Sequence, residues 1–137
     1  MNCGENCCGN LCIEVVISVV FGALVGVLFA FGFIPAITTA IWIFFGLAVL
    51  NLIFLVAGVY TASVFRRTPL AVCLCCGGAV FLAGIIGTIV LAVALLSIVL
   101  VTTSIGIAAL VAIGAFFAAL MLIALIDLLI CILDRLP

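Results

Sequence analysis

The chain has 137 residues, of which 72% are hydrophobic and 5% are charged, and its formal net charge is −1. A soluble domain carries about a quarter charged residues, so this composition excludes a water-soluble globule. The near-neutral charge also excludes a nucleic-acid-binding protein, which needs a basic surface.

Four long apolar runs predict an all-α membrane protein with four transmembrane helices, since about 20 apolar residues cross a bilayer. Unbroken runs favour helices over the strands of a membrane barrel, which alternate polar and apolar residues. Residues 1–12 are small, polar and rich in cysteine, which predicts a short exposed segment, and residues 70–78 are predicted to be the central connection. The predicted helices cover about residues 11–33, 38–65, 79–101 and 105–133.

Two short motifs recur at a constant spacing along the chain. Cys-Cys-Gly occurs at residues 7–9 and again at 75–77, and Arg-x-Pro ends at Pro69 and again at Pro137. We interpret this as a tandem duplication of a helical hairpin, which gives a parallel internal repeat with both copies the same way up in the membrane. The predicted repeats are residues 1–69 and 70–137.

The arginines predict the orientation in the membrane. Arg66, Arg67 and Arg135 all lie at one set of helix ends, whereas the connections over 32–39 and 101–106 carry no charge. Positive charge favours the cytoplasmic side. We therefore expect a multi-pass integral membrane protein with both termini in the cytoplasm.

Seven of the eight cysteines are candidates for a metal site, because thiolates are soft ligands that select zinc, copper or iron–sulfur clusters. Redox sensing and lipid attachment are alternatives, and cysteine is also tolerated as a small apolar residue. Cys131 fits that last interpretation best. A cytoplasmic location predicts reduced thiols and no disulfide framework. The candidate ligands are Cys3, Cys7, Cys8, Cys12, Cys73, Cys75 and Cys76.

Three polar residues lie within the predicted helices. Asp127 is the most unusual, because ionisable groups at membrane depth are costly and often mark an ion pathway. Glu14 begins the first helix, where the helix dipole favours a carboxylate. Asn51 lies near the middle of the second helix and is expected to hydrogen-bond across a helix interface.

Small residues predict where the first helix packs. Glu14, Ser18, Gly22, Gly26 and Ala30 recur every four residues and so share one helix face, which resembles the GxxxG pattern of close helix contacts. A comparable face on the fourth helix contains Ala108, Ala112, Ala115 and Ala119.

These patterns favour a small non-enzymatic membrane protein over an enzyme, since no catalytic motif is present. The leading hypothesis is a structural or transport subunit that oligomerises and has a thiol cluster for metal or redox state on its cytoplasmic face. Its expected partners are the lipid bilayer and either further copies or a small membrane complex. One alternative is a transporter of a soft metal or small ion that uses Asp127 and the vicinal cysteines Cys75 and Cys76. The other is a purely structural assembly protein with no ligand.

Overall fold

A computed structural model describes residues 7–33, 35–65, 68–98 and 104–135. It describes the backbone alone for residues 7–11, 65, 68–72, 75, 76 and 135. This part of the chain forms the helices α1 (Cys7–Ala30), α2 (Ile37–Phe65), α3 (Thr68–Ser97) and α4 (Ile105–Arg135). All four are long and apolar enough to cross a membrane, as expected of a multi-pass integral membrane protein.

The helix boundaries agree with the prediction at α4 and differ at two helix starts. Helix α4 begins at Ile105, as expected, but α3 begins at Thr68 rather than near residue 79. The predicted connection over 70–78 is therefore wrong. Pro69 is the second residue of α3, a position where proline is tolerated because the first amides of a helix have no partner within the helix.

Helix α1 also begins earlier than predicted. It starts at Cys7, so the second half of the segment expected to precede the helix belongs to its first turns. At its other end, Gly32 has a φ of 72°. The Gly32 amide donates to the Phe29 carbonyl at 2.9 Å, and the Phe33 amide donates to the Leu28 carbonyl at 3.1 Å. This is the Schellman arrangement that glycine permits, and it ends α1.

The packing order of the helices differs from their order in the chain. Helix α1 packs along α4, α4 along α3, and α3 along α2. Among the described residues, α1 makes no extended contact with α2. The two predicted hairpins therefore differ in packing, since α3 and α4 form a close pair and α1 and α2 do not. The duplication itself stays a prediction.

Two buried clusters hold the helices together. One joins α2, α3 and α4 toward the end of the bundle where α3 begins, and Phe81, Ile85 and Met121 lie at its centre without solvent exposure. The other joins all four helices toward the opposite end, around Phe29 and Val111. We call the first of these ends, where α1 and α3 begin and α2 and α4 finish, the cysteine-bearing end.

Candidate functional site

Two glycines that the sequence predicts to be packing residues, Gly22 and Gly26, lie where α1 meets α4. A Cβ on Gly22 would lie 2.8 Å from the Ala112 carbonyl oxygen and 2.9 Å from Phe116 Cβ. A Cβ on Gly26 would lie 2.6 Å from Ala112 Cβ. Neither position has room for a side chain, so these glycines let the two backbones meet. We refer to this contact as the α1–α4 seam.

Two of the polar residues singled out in the sequence meet in this seam. The carboxyl groups of Glu14 on α1 and Asp127 on α4 are in hydrogen-bonding contact. Glu14 is half-buried and Asp127 is exposed at the edge of the seam. Two ionised carboxylates are both acceptors and repel one another, so this contact is favourable when one carboxyl group is protonated and donates to the other.

Ser18 lies one turn further along the same face of α1. Its side chain is fully buried, and its hydroxyl has no hydrogen-bond partner among the described residues. A serine inside a helix usually bonds to the carbonyl four residues earlier, which here belongs to Glu14. In the sequence, Ser18 stands out only as a small residue on the same face of α1 as Glu14, Gly22 and Gly26.

Asn51 lies in a different contact, between α2 and α4. Its side chain is buried, and its amide nitrogen donates to the Met121 sulfur at 3.6 Å. Thioether sulfur is a weak acceptor, so this bond fixes the position of Asn51 without contributing much energy. Asn51 lies apart from the Glu14–Asp127 pair, since it contacts another face of α4.

The expectation of reduced thiols is wrong for two cysteines. Cys73 on α3 and Cys131 on α4 form a disulfide, with Cα atoms 6.1 Å apart. That separation lies within the usual range for a disulfide. Cys73 is buried, and its bond to Cys131 removes it from the predicted metal ligands while the disulfide is intact. The interpretation of Cys131 as a bystander is also wrong. The two residues are 58 positions apart, and no motif in the sequence links them.

The other candidate ligands have different locations. Cys12 is a free, exposed thiol on α1. Cys7 and Cys8 lie in the first turn of α1, and Cys75 and Cys76 lie in α3. Cys3 lies outside the described residues. Within the described part of the chain, no three histidine, cysteine or acidic side chains come together to hold a metal ion.

An apolar cavity of about 160 Å³ lies toward the opposite end of the bundle. All four helices line it, including Phe21 on α1, Phe44 on α2, Thr88 on α3 and Gly114 on α4. The Thr88 hydroxyl donates to the Gly84 carbonyl at 2.7 Å, so it is already satisfied. The cavity thus offers apolar contacts to a group of matching shape. It lies where α1 and α2 do not pack together.

No protein-family model, curated protein or solved structure matches this chain.

Proposed function

We propose that this protein is a non-enzymatic membrane subunit, structural or transporting, that works as a homo-oligomer. The observation that supports this proposal is the open side of the bundle between α1 and α2. The cavity lies there, and Phe21 beside it is 47% exposed. Helices in a membrane associate by close van der Waals packing, and an unfilled cavity lacks those contacts. A helix from a second copy would supply them.

The number of chains per particle tests the oligomer. The protein is reconstituted into nanodiscs and counted by single-molecule photobleaching, and we expect more than one chain per disc. Phe21→Ala should lower that number because it removes contact area at the open side. Phe54→Ala is the matched control, since Phe54 is 43% exposed on α2 and does not line the cavity. A strictly monomeric wild type would refute the oligomer.

The same proposal includes a thiol element at the cysteine-bearing end. The Cys73–Cys131 pair supports redox sensing over metal binding, because two cysteines of this end lie within disulfide-bonding distance of each other. Metal content and free thiols measured on one anaerobic sample separate the two. Thiolate-bound zinc, copper or iron with few free thiols would favour a metal site formed by the remaining cysteines. No metal, together with a disulfide that opens and closes with the redox potential, would favour sensing.

Transport of a small ion is the second candidate, and the contact between Asp127 and Glu14 favours it. Acidic side chains within transmembrane helices commonly lie on ion pathways. Flux measured in proteoliposomes tests this candidate. Asp127→Asn should abolish flux if Asp127 receives the ion, and unchanged flux would remove that residue from the mechanism.

A further inference from the structure

We propose that the apolar cavity binds the end of an acyl chain from a membrane lipid. The cavity has a volume of about 160 Å³ and is lined by all four helices. The proposal goes beyond the oligomer and applies equally to a single chain. A helix of a second copy is about 10–12 Å wide with its side chains, so it would cover the opening without entering the cavity.

The lining of the cavity selects an apolar occupant. Of the described residues that line it, Thr88 alone has a polar side chain. The Thr88 hydroxyl donates to the Gly84 carbonyl at 2.7 Å, so its one proton is already used. A buried water needs about two to four polar partners, which a single hydroxyl in this state does not supply. An ion would lack partners for the same reason.

The volume of the cavity sets the size of the occupant. Drug-sized ligands occupy pockets of about 300–1,000 Å³, so this cavity is too small for one. An engineered protein cavity of about 150 Å³ with a comparable apolar lining stays dry and takes up benzene or xenon. A group about as large as a benzene ring therefore fits here, and a short run of methylene groups at the end of an acyl chain is such a group.

The cavity is accessible from the lipid between α1 and α2. These two helices do not pack together, and Phe21 on α1, which lines the cavity, is exposed. On the side of α3 and α4, the lining residues Ala92 and Ala118 are buried. An acyl chain would therefore enter between α1 and α2.

The depth of the cavity matches the end of an acyl chain. On α4 the lining runs from Val111 to Ala118, which is about 9–20 Å from the start of the span Ile105–Asp134 at 1.5 Å per residue. A hydrocarbon core about 30 Å thick has its midplane about 15 Å from either face. Acyl chains end near that midplane. The bilayer thus supplies chain ends at this depth in large excess over any small apolar solute.

Photolabelling from the end of an acyl chain tests the proposal. The full chain is placed in nanodiscs of phosphatidylcholine that carries a diazirine at the end of one acyl chain. After irradiation, the labelled residues are located by mass spectrometry. We expect label on the buried residues Ala92 and Ala118, which lipids around the bundle do not contact. Label on the exposed Ile53, which does not line the cavity, measures the background from those surrounding lipids.

Two perturbations distinguish the cavity from the surface of the bundle. Gly114→Leu places a side chain in the cavity and should reduce the label on Ala92 to background. Gly58→Leu is the matched control, because Gly58 lies outside the cavity and a Cβ there meets no described atom within 4 Å. Its label should equal that of the wild type. Excess benzene should compete for the cavity in the wild type, so the test does not depend on the folding of Gly114→Leu.

Three results would overturn the proposal. The first is an absence of label on Ala92 and Ala118 in the wild type. The second is label on these residues that excess benzene does not reduce. The third is equal loss of label in Gly58→Leu and Gly114→Leu. Photobleaching counts the chains in the same discs, so a failure of the lipid site and a failure of the oligomer give different results.

Discussion

A single methyl group added at Gly22 should destabilise the α1–α4 seam. Gly22→Ala places a Cβ 2.8 Å from the Ala112 carbonyl oxygen and 2.9 Å from Phe116 Cβ. Carbon atoms pack best at about 3.5–4.0 Å, so the helices must separate by roughly 0.5–1 Å. The nearer atom belongs to the α4 backbone, and no rotamer change relieves the clash. Overpacking of this kind costs about 1–3 kcal/mol.

Gly77→Ala is the matched control for that prediction. The same methyl group on α3 meets no atom of the described residues within 4 Å. Replacing a helical glycine by alanine then stabilises by roughly 0.5–1 kcal/mol, since alanine loses less backbone entropy on folding. The two variants should differ in their free energies of unfolding by about 2 kcal/mol or more.

Reversible unfolding in mixed micelles measures that difference. Helix content is followed by circular dichroism as the fraction of sodium dodecyl sulfate rises. The wild type should unfold at a higher fraction of sodium dodecyl sulfate than Gly22→Ala. Gly77→Ala should unfold at a higher fraction than the wild type. If Gly22→Ala is as stable as Gly77→Ala, then α1 does not pack against α4 as described.

Three further predictions use the same assay or a thiol measurement. The Cys73–Cys131 disulfide should protect two thiols from alkylation until reductant is added, and equal labelling with and without reductant would contradict the bond. Cys73→Ser should lower the free energy of unfolding by up to about 4 kcal/mol, the value expected for a crosslink of this span. Asn51→Leu should change the free energy of unfolding by less than about 1 kcal/mol because the bond to Met121 is weak. A loss above about 2 kcal/mol would contradict the description of that bond as weak. Gly114→Ala should stabilise by roughly 0.5–1 kcal/mol, since its Cβ would meet Leu95 at an ordinary 3.6 Å beside the cavity; destabilisation would mean that this side is already filled.

The number and type of helices could be predicted because hydrophobic length is a strong signal. The start of α4 followed from the turn signal just before Ile105. The starts of α1 and α3 were missed because small residues and cysteines suggested loops. Pro69 lies in the first turn of α3, a position that is compatible with a helix.

Helix pairing was harder to predict than helix existence. Apolar residues lie on every side of all four helices, so the pattern of the sequence does not show which faces meet. The glycine stripe identified a packing face on α1 but not its partner on α4. Glu14 and Asp127 were each singled out, and their contact depends on a pairing between the first and last helices. The Cys73–Cys131 bond depends in the same way on how α3 and α4 align.

Pairing between the first and last helices also has a consequence for how the protein is made. Synthesis proceeds from α1 to α4, and 105 residues separate the end of α1 at Ala30 from the end of α4 at Arg135. At about 5–20 residues per second, α1 is complete about 5–20 s before its partner is finished. During that time Glu14 and Ser18 have no α4 residues to pack against. The face of α1 that carries Glu14 and Ser18 is therefore left uncovered until α4 has been synthesised, and a chain truncated before α4 would leave it uncovered permanently.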